Sequence, residues 1–217
     1  GWKFEDASHE LRGDREMVLE AVKLSGHALE HASDELRGDR EIVMEAIKHD
    51  AWAISHASDN LKANRQFILE ASEVSGYALE FAPEDLKADR EFVLRAIRKH
   101  GSALEHASDE FRGDREIVME AINNQSVALR YASEDLLDDR DFVLGEIDKG
   151  KYALEYVSER LRGDREIVMK AVGDGGFELE HASEEIRGDR EFVLEAVSNN
   201  AQALAAASEE LQADREV

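Results

Sequence analysis

The chain holds 217 residues, 50 of them Asp or Glu against 27 Lys or Arg, for a formal net charge of −23. That balance argues against nucleic-acid backbones and anionic membrane surfaces, which would repel it; the lack of cysteine removes disulfides, thiolate metal sites and cysteine nucleophiles. No apolar run approaches the roughly 18 residues of a membrane span, the start carries no signal-peptide pattern, and one proline in 217 residues points to a nearly all-helical protein.

The organisation is a repeat of 25 residues without insertion or deletion. Asp-Arg-Glu triplets begin at Asp14, Asp39, Asp89, Asp114, Asp164, Asp189 and Asp214, and Asn64-Arg65-Gln66 and Asp139-Arg140-Asp141 fill the two remaining registers. Ala-Leu and Ala-Ser pairs recur in step, as in Ala28-Leu29 and Ala32-Ser33. Eight full units and a partial ninth cover residues 1–217 as a single array.

Each unit reads as two helices. In the second unit, residues 27–32 predict a short helix of about two turns, with Ala28, Leu29 and Ala32 on one face and His27 and His31 together on another. Ser33 ends it and opens a turn through Asp34-Glu35-Leu36, with Leu36 returning to the core. In the fourth unit Pro83 takes the place of this serine, and a proline disfavours helix at the residue before it. Asp39 is then expected to cap a second helix, its carboxylate accepting backbone N–H groups. Ile42, Val43, Ala46 and Ile47 supply the apolar stripe of that helix. It stops in the region where other units carry Gly26, Gly76, Gly101 or Gly150, read as C-terminal glycines. Gly38 precedes the cap in five units, yet Ala63, Ala88, Ala213 and Asp138 hold the same register, so no left-handed backbone is required there. A unit this small cannot bury its own stripe. Stacking of neighbours can, which predicts an all-α fold, an α-solenoid made as a superhelical array of 25-residue two-helix repeats.

The segment ALEHASDELRGDREIVMEAI, Ala28 to Ile47, resembles the tandem helical repeat known as domain of unknown function 4116. That family occurs as arrays of the same near-25-residue unit. The resemblance covers the whole chain and implies an α-solenoid, with no catalytic residue or cofactor to carry over. The sequence departs from the pattern at Asn64, Gln66, Ser72 and Glu146, where the local packing is expected to differ.

Arginine follows the capping position in all nine units. The ladder of Asp14-Arg15, Asp39-Arg40, Asp89-Arg90, Asp114-Arg115, Asp164-Arg165 and Asp189-Arg190 is read as structural, each arginine bridging to an acid of its own or the next unit, such as Glu30 or Glu35. An anion-binding ladder is the competing reading, but a catalytic group is needed once, not nine times. A second basic column, Arg12, Arg37, Lys62, Lys87, Arg112, Arg162 and Arg187, is interleaved with acids and broken by Leu137 and Gln212, which argues against a nucleic-acid groove. His31, His56, His106 and His181 share one repeat position, and His27 with His31 has the i,i+4 spacing of a helical metal pair. Neighbouring units place Trp52, Tyr77 or Phe81 in those slots, so the histidines are read as packing residues and no metal, cofactor or catalytic residue is assigned. No EF-hand loop, phosphate loop, nucleophile elbow or zincin motif is present.

The units differ most at the two outer positions of the short helix. Trp2, His27, His31, Trp52, His56, Tyr77, Phe81, His106, Tyr131, Tyr152, Tyr156, Phe177 and His181 lie there, a ribbon that holds eight of the chain's 2 Trp, 4 Tyr and 8 Phe residues. Aromatic rings with polar tips on a regular scaffold suit an interaction surface. The alternative is an inter-unit seam filled for shape alone, and the exposure of Trp52 and Tyr152 distinguishes the two.

The expectation is a non-enzymatic scaffold that binds other proteins, as a structural subunit of a larger assembly, with no nucleic acid and no membrane insertion. Neither end of the array is capped, which is expected of an excerpt from a longer chain, of ends covered by a partner, or of ends that self-associate. Two other classes stay open: a metal-binding or catalytic protein, which would need a unique polar cluster breaking the repeat, and an idealised array without a partner. Nothing in the sequence assigns a compartment. The acid surplus is about three per unit, copied along the array, and is weaker evidence for a basic ligand than the total of −23 suggests.

Overall fold

The computed structural model describes residues 4–147, 154–174 and 176–213. Among the described residues there is no strand, and every repeat is built from helix. The chain divides into two compact units, residues 1–131 and residues 132–217. In each, consecutive repeats stack in sequence order as an α-solenoid.

Where its residues are described, a repeat is built from three parts, one more than the sequence pattern suggests. The first is a 3₁₀ helix, as in Gly26–His31, Ala51–His56, Gly101–His106 and Ala201–Ala206. Six residues closed by an extended alanine (Ala32 has φ −69°, ψ 158°) leave room for a short run of i→i+3 bonds, the length at which 3₁₀ helix competes with α. The second part is the segment expected as a turn, which closes as one short helix in Asp59–Lys62, Asp109–Arg112 and Glu159–Arg162. The serine ahead of it causes this: Ser58 Oγ accepts the Leu61 N–H at 3.3 Å, and Ser108 Oγ accepts that of Phe111 at 3.3 Å. Pro83 opens the same turn through its own backbone, with φ −56° and no side-chain bond. The serine N–H does a second job, donating to the preceding repeat at the Arg12 carbonyl from Ser33 (2.8 Å) and the Arg37 carbonyl from Ser58 (2.9 Å). Pro83 has no N–H and gives up that link.

The third part is the long helix, as in Arg40–His49, Arg90–Lys99, Arg115–Asn124 and Arg190–Asn199. Its cap is as the sequence predicts. Asp39 accepts from the Glu41 and Ile42 N–H groups, Asn64 from Phe67, Asp139 from Phe142, and Asp14, Asp89, Asp114, Asp164 and Asp189 act alike. Ile42, Val43, Ala46 and Ile47 are buried with Ala28, Leu29, Ala32 and Leu36, so the predicted stripe is the core. Ser72, a departure from the pattern, is buried and satisfied, its hydroxyl donating to the Leu69 carbonyl at 2.8 Å.

The glycines divide into two kinds. Those before the cap are right-handed, Gly113 at φ −95° beside Ala63 at −76° and Asp138 at −100° in the same register, as the sequence suggested. Gly26 and Gly101 do not serve as C-terminal stops. The residue before each of these glycines closes its long helix in extended form (Ser25 φ −156°, His100 φ −140°), and the glycine opens the 3₁₀ helix. A Cβ on Gly26 would sit 2.6 Å from Asp50 Cβ, and one on Gly101 would sit 2.5 Å from the Ala121 carbonyl oxygen, so glycine there admits the next repeat. Gly150 lies outside the described residues.

Candidate functional site

Two sets of side chains run from repeat to repeat. The first is the arginine ladder. Arg15 Nε donates to Asp39 Oδ2 at 3.0 Å and its Nη2 reaches Glu41; Arg140 Nε donates to Asp164 Oδ2 at 2.8 Å and its Nη2 reaches Glu166. Arg65 pairs with Asp89 and Asp85, each at 3.1 Å, Arg90 with Asp114 and Glu116, and Arg165 with Asp189. The partners are therefore the capping aspartate of the next repeat and the acid near it; at Arg65 the acid in the Glu35 register, Asp85, takes part as well, as expected of that position. One carboxylate serves both because its two oxygens divide the work: Asp39 Oδ1 caps its helix while Oδ2 takes the arginine. Arg40 faces Asn64 and Gln66, which have no charge, and turns to Glu70, which Gln66 also holds at 2.9 Å.

The guanidinium of Arg140 holds the Asp164 carboxyl below its usual range against the opposing effect of burial, and the Ile167 N–H adds to it. Such a carboxyl stabilises the fold above its unfolded pKa of 3.8, and the contribution disappears as pH falls through the lower folded value. Asp164→Asn should keep the cap, as Asn64 does, and lose the charge pair. Its melting temperature should lie about 2–3 °C below wild type at pH 7, with the gap closing as the pH falls from 3.8 through the lower folded value. Calorimetric melts across that range check this, and a gap independent of pH would remove the charge pair as its cause.

The second basic column divides between backbone and nearby acids, with Arg37 pairing with Asp34, Lys87 with Glu84 and Arg112 with Asp109. Arg12 donates to the Ala7 and Glu5 carbonyls at 3.0 and 2.7 Å, and Lys62 to that of Ser55 at 3.3 Å. Gln212, which breaks the column in sequence, keeps the same bonds to Ala207 and Ala205 at 2.9 and 2.8 Å. Arg12, Lys62 and Gln212 thus tie the 3₁₀ helix of their own repeat to the short helix that follows it.

The aromatic ribbon is the other set. The first outer position of one repeat meets the second outer position of the next, 29 residues on. His27 lies edge-on to His56 (5.4 Å between ring centroids), Trp52 to Phe81 (5.7 Å), and Tyr77 is tilted against His106 (5.4 Å). Trp52 also meets Tyr77 edge-on at 5.3 Å, and Lys62 Nζ lies 5.6 Å over the Phe81 ring. Burial and an acceptor at Glu105 push the Tyr131 phenol up, while burial pushes His106 down despite Glu80 at 3.6 Å. The ribbon is a seam between repeats that keeps an open side, since Trp52 is 42% and Tyr77 39% exposed. His31, Tyr156 and His181 are half-buried. Trp2, Tyr152 and the Phe177 side chain lie outside the described residues. Along the ribbon one group of metal-capable side chains converges among the described residues, His27, Glu30 and His56. The sequence spacing of 29 is the signal for the His27–His56 contact, once repeats of 25 are known to stack.

Residues 1–37 and 39–212 match the family described as Domain of unknown function (DUF4116), the second range in six overlapping stretches. The chain belongs to this family. Six of the stretches start at residues 39, 64, 89, 114, 139 and 164, so each begins on the residue that caps a long helix. No curated protein and no solved structure matches the chain. The family accounts for the period and the helical repeat. Among the described residues, no helix is long and apolar enough to cross a membrane.

Proposed function

We propose that this array is a non-catalytic scaffold that binds an extended segment of a partner protein along the aromatic ribbon. What supports the reading is that Trp52 and Tyr77 stay exposed while their rings are already fixed edge-on by neighbouring repeats. Rings held in place lose little freedom on binding, and aromatic anchors carry a large share of interface energy. Exposed Glu30 and Glu105 and half-buried Glu80 flank the rings, which favours a segment with apolar and basic side chains. The clefts fit a scaffold as well: the notch beside Arg37, His56 and Lys62 recurs 150 residues on beside Arg187, Ala206 and Gln212, a feature of the repeat and not of one site.

The test is a pull-down with quantitative mass spectrometry, followed by titration of the recovered partner against Trp52 fluorescence in a Trp2→Phe background. The partner should shift that emission, and Trp52→Ala and Tyr77→Ala should each reduce its recovery at least 10-fold. Partners recovered equally by wild type and both variants would discard the ribbon as the binding face.

A further inference from the structure

The repeat is broken chemically at one junction, between the 3₁₀ helices Gly26–His31 and Ala51–His56. On a 3₁₀ helix residues three apart eclipse, whereas residues four apart are turned by about 120°. The His27–His31 pair suggested by α-helical spacing is therefore not the one that forms: those rings are 6.4 Å apart and crossed. Glu30 instead stands beside His27, with Oε2 2.9 Å from Nε2. The stacking register then delivers His56 from the next repeat, and one donor atom from each of His27, Glu30 and His56 lies within 4.8 Å of the other two. His56 Nε2 is buried with no hydrogen-bond partner, a polar atom left unsatisfied at the edge of this group.

We propose that His27, Glu30 and His56 bind a divalent transition-metal ion, with Zn²⁺ the best match. Two imidazoles and a carboxylate are a borderline set that suits zinc and its neighbours better than Ca²⁺ or Mg²⁺. Ligands at about 2.0–2.1 Å in a tetrahedron stand roughly 3.3 Å apart, so the widest pair must close by at most about 1.5 Å while His27 and Glu30, at 2.9 Å, part slightly. His27 and Glu30 are exposed and have the freedom to move that far. Water completes a four-coordinate shell in such three-ligand sites.

The sequence argues in the same direction. The corresponding trios elsewhere in the sequence are Trp2/Glu5/His31, Trp52/Ser55/Phe81, Tyr77/Glu80/His106, Ser102/Glu105/Tyr131, Val127/Arg130/Tyr156, Tyr152/Glu155/His181 and Phe177/Glu180/Ala206, and none of these offers two imidazoles and a carboxylate. A bound ion would join two adjacent repeats at a point where the others rely on ring packing.

Isothermal titration of the whole chain with ZnCl₂ tests this. The expected result is one saturable site per chain. Its affinity should fall at least 10-fold in His27→Ala and in His56→Ala and stay unchanged in His31→Ala. Zn²⁺ well above Kd should raise the melting temperature by about 5 °C, and equal Mg²⁺ should not. His27 is exposed, so His27→Ala keeps the test valid even if His56→Ala fails to fold, with circular dichroism as the check. No saturable heat, or several weak sites indifferent to His27→Ala, would overturn the proposal and assign any binding to the acidic surface.

Discussion

Phe67→Ala should remove about 3–5 kcal/mol from the unit that contains it, the range for truncating a buried aromatic side chain. The residue is 0% exposed in the helix Arg65–Ser72, at the register where Ile42, Phe92 and Ile117 fill the core of neighbouring repeats. A whole domain is commonly stable by only about 5–15 kcal/mol, so this one change removes a large share. Because each repeat is held mainly by its neighbours, the cavity weakens two interfaces at once, and the transition should broaden as well as shift. Urea unfolding followed by Trp52 fluorescence, in a Trp2→Phe background, reports on this part of the chain. A midpoint within error of wild type would mean that the Phe67 ring is not packed in the core.

Gly26→Ala is expected to destabilise by about 1–3 kcal/mol, as overpacking does. The sign is the informative part. Where the backbone tolerates it, replacing glycine by alanine stabilises by about 0.4–1 kcal/mol through the unfolded chain. At Gly26 the new methyl would meet Asp50 Cβ at 2.6 Å and Asp50 N at 2.9 Å, together with the Ala46 carbonyl oxygen. At Gly13 it would meet nothing within 4 Å, so Gly13→Ala should be neutral or stabilising. Equal and favourable shifts for both would show that the repeats do not approach as closely as Gly26 requires.

Local chemistry was easy to read from the sequence. The Asp39 cap, the break at Pro83 and the stripe Ile42, Val43, Ala46, Ile47 each depend on residues within one turn of each other, and all take the predicted form. What depended on stacking was harder. The arginine was expected to bridge to an acid such as Glu30 or Glu35, because every unit offers several acids and the sequence does not rank them. The ranking comes from geometry: the capping carboxylate of the next repeat is fixed by its own helix and keeps one oxygen to spare. The His27–His31 pair assumed an α-helical turn, and the tighter 3₁₀ turn replaced it with Glu30 and, across the junction, His56. Gly26 and Gly101, which open their 3₁₀ helices, read as stops because only the preceding helix is visible in sequence, whereas their constraint comes from the repeat that follows.

The Asp-Arg-Glu triplet is complementary to its own copy 25 residues away, cation on one side and anions on the other. A gene encoding such a chain can therefore lose or duplicate whole repeats by unequal crossing-over without stranding a charge, provided the cut falls in phase. Even the deviant repeat obeys this, since it carries Glu70 as a substitute acceptor for whichever arginine precedes it. Copy number is thus open to drift, while the 25-residue phase is not: one residue gained or lost between two triplets would break the pairing at that junction.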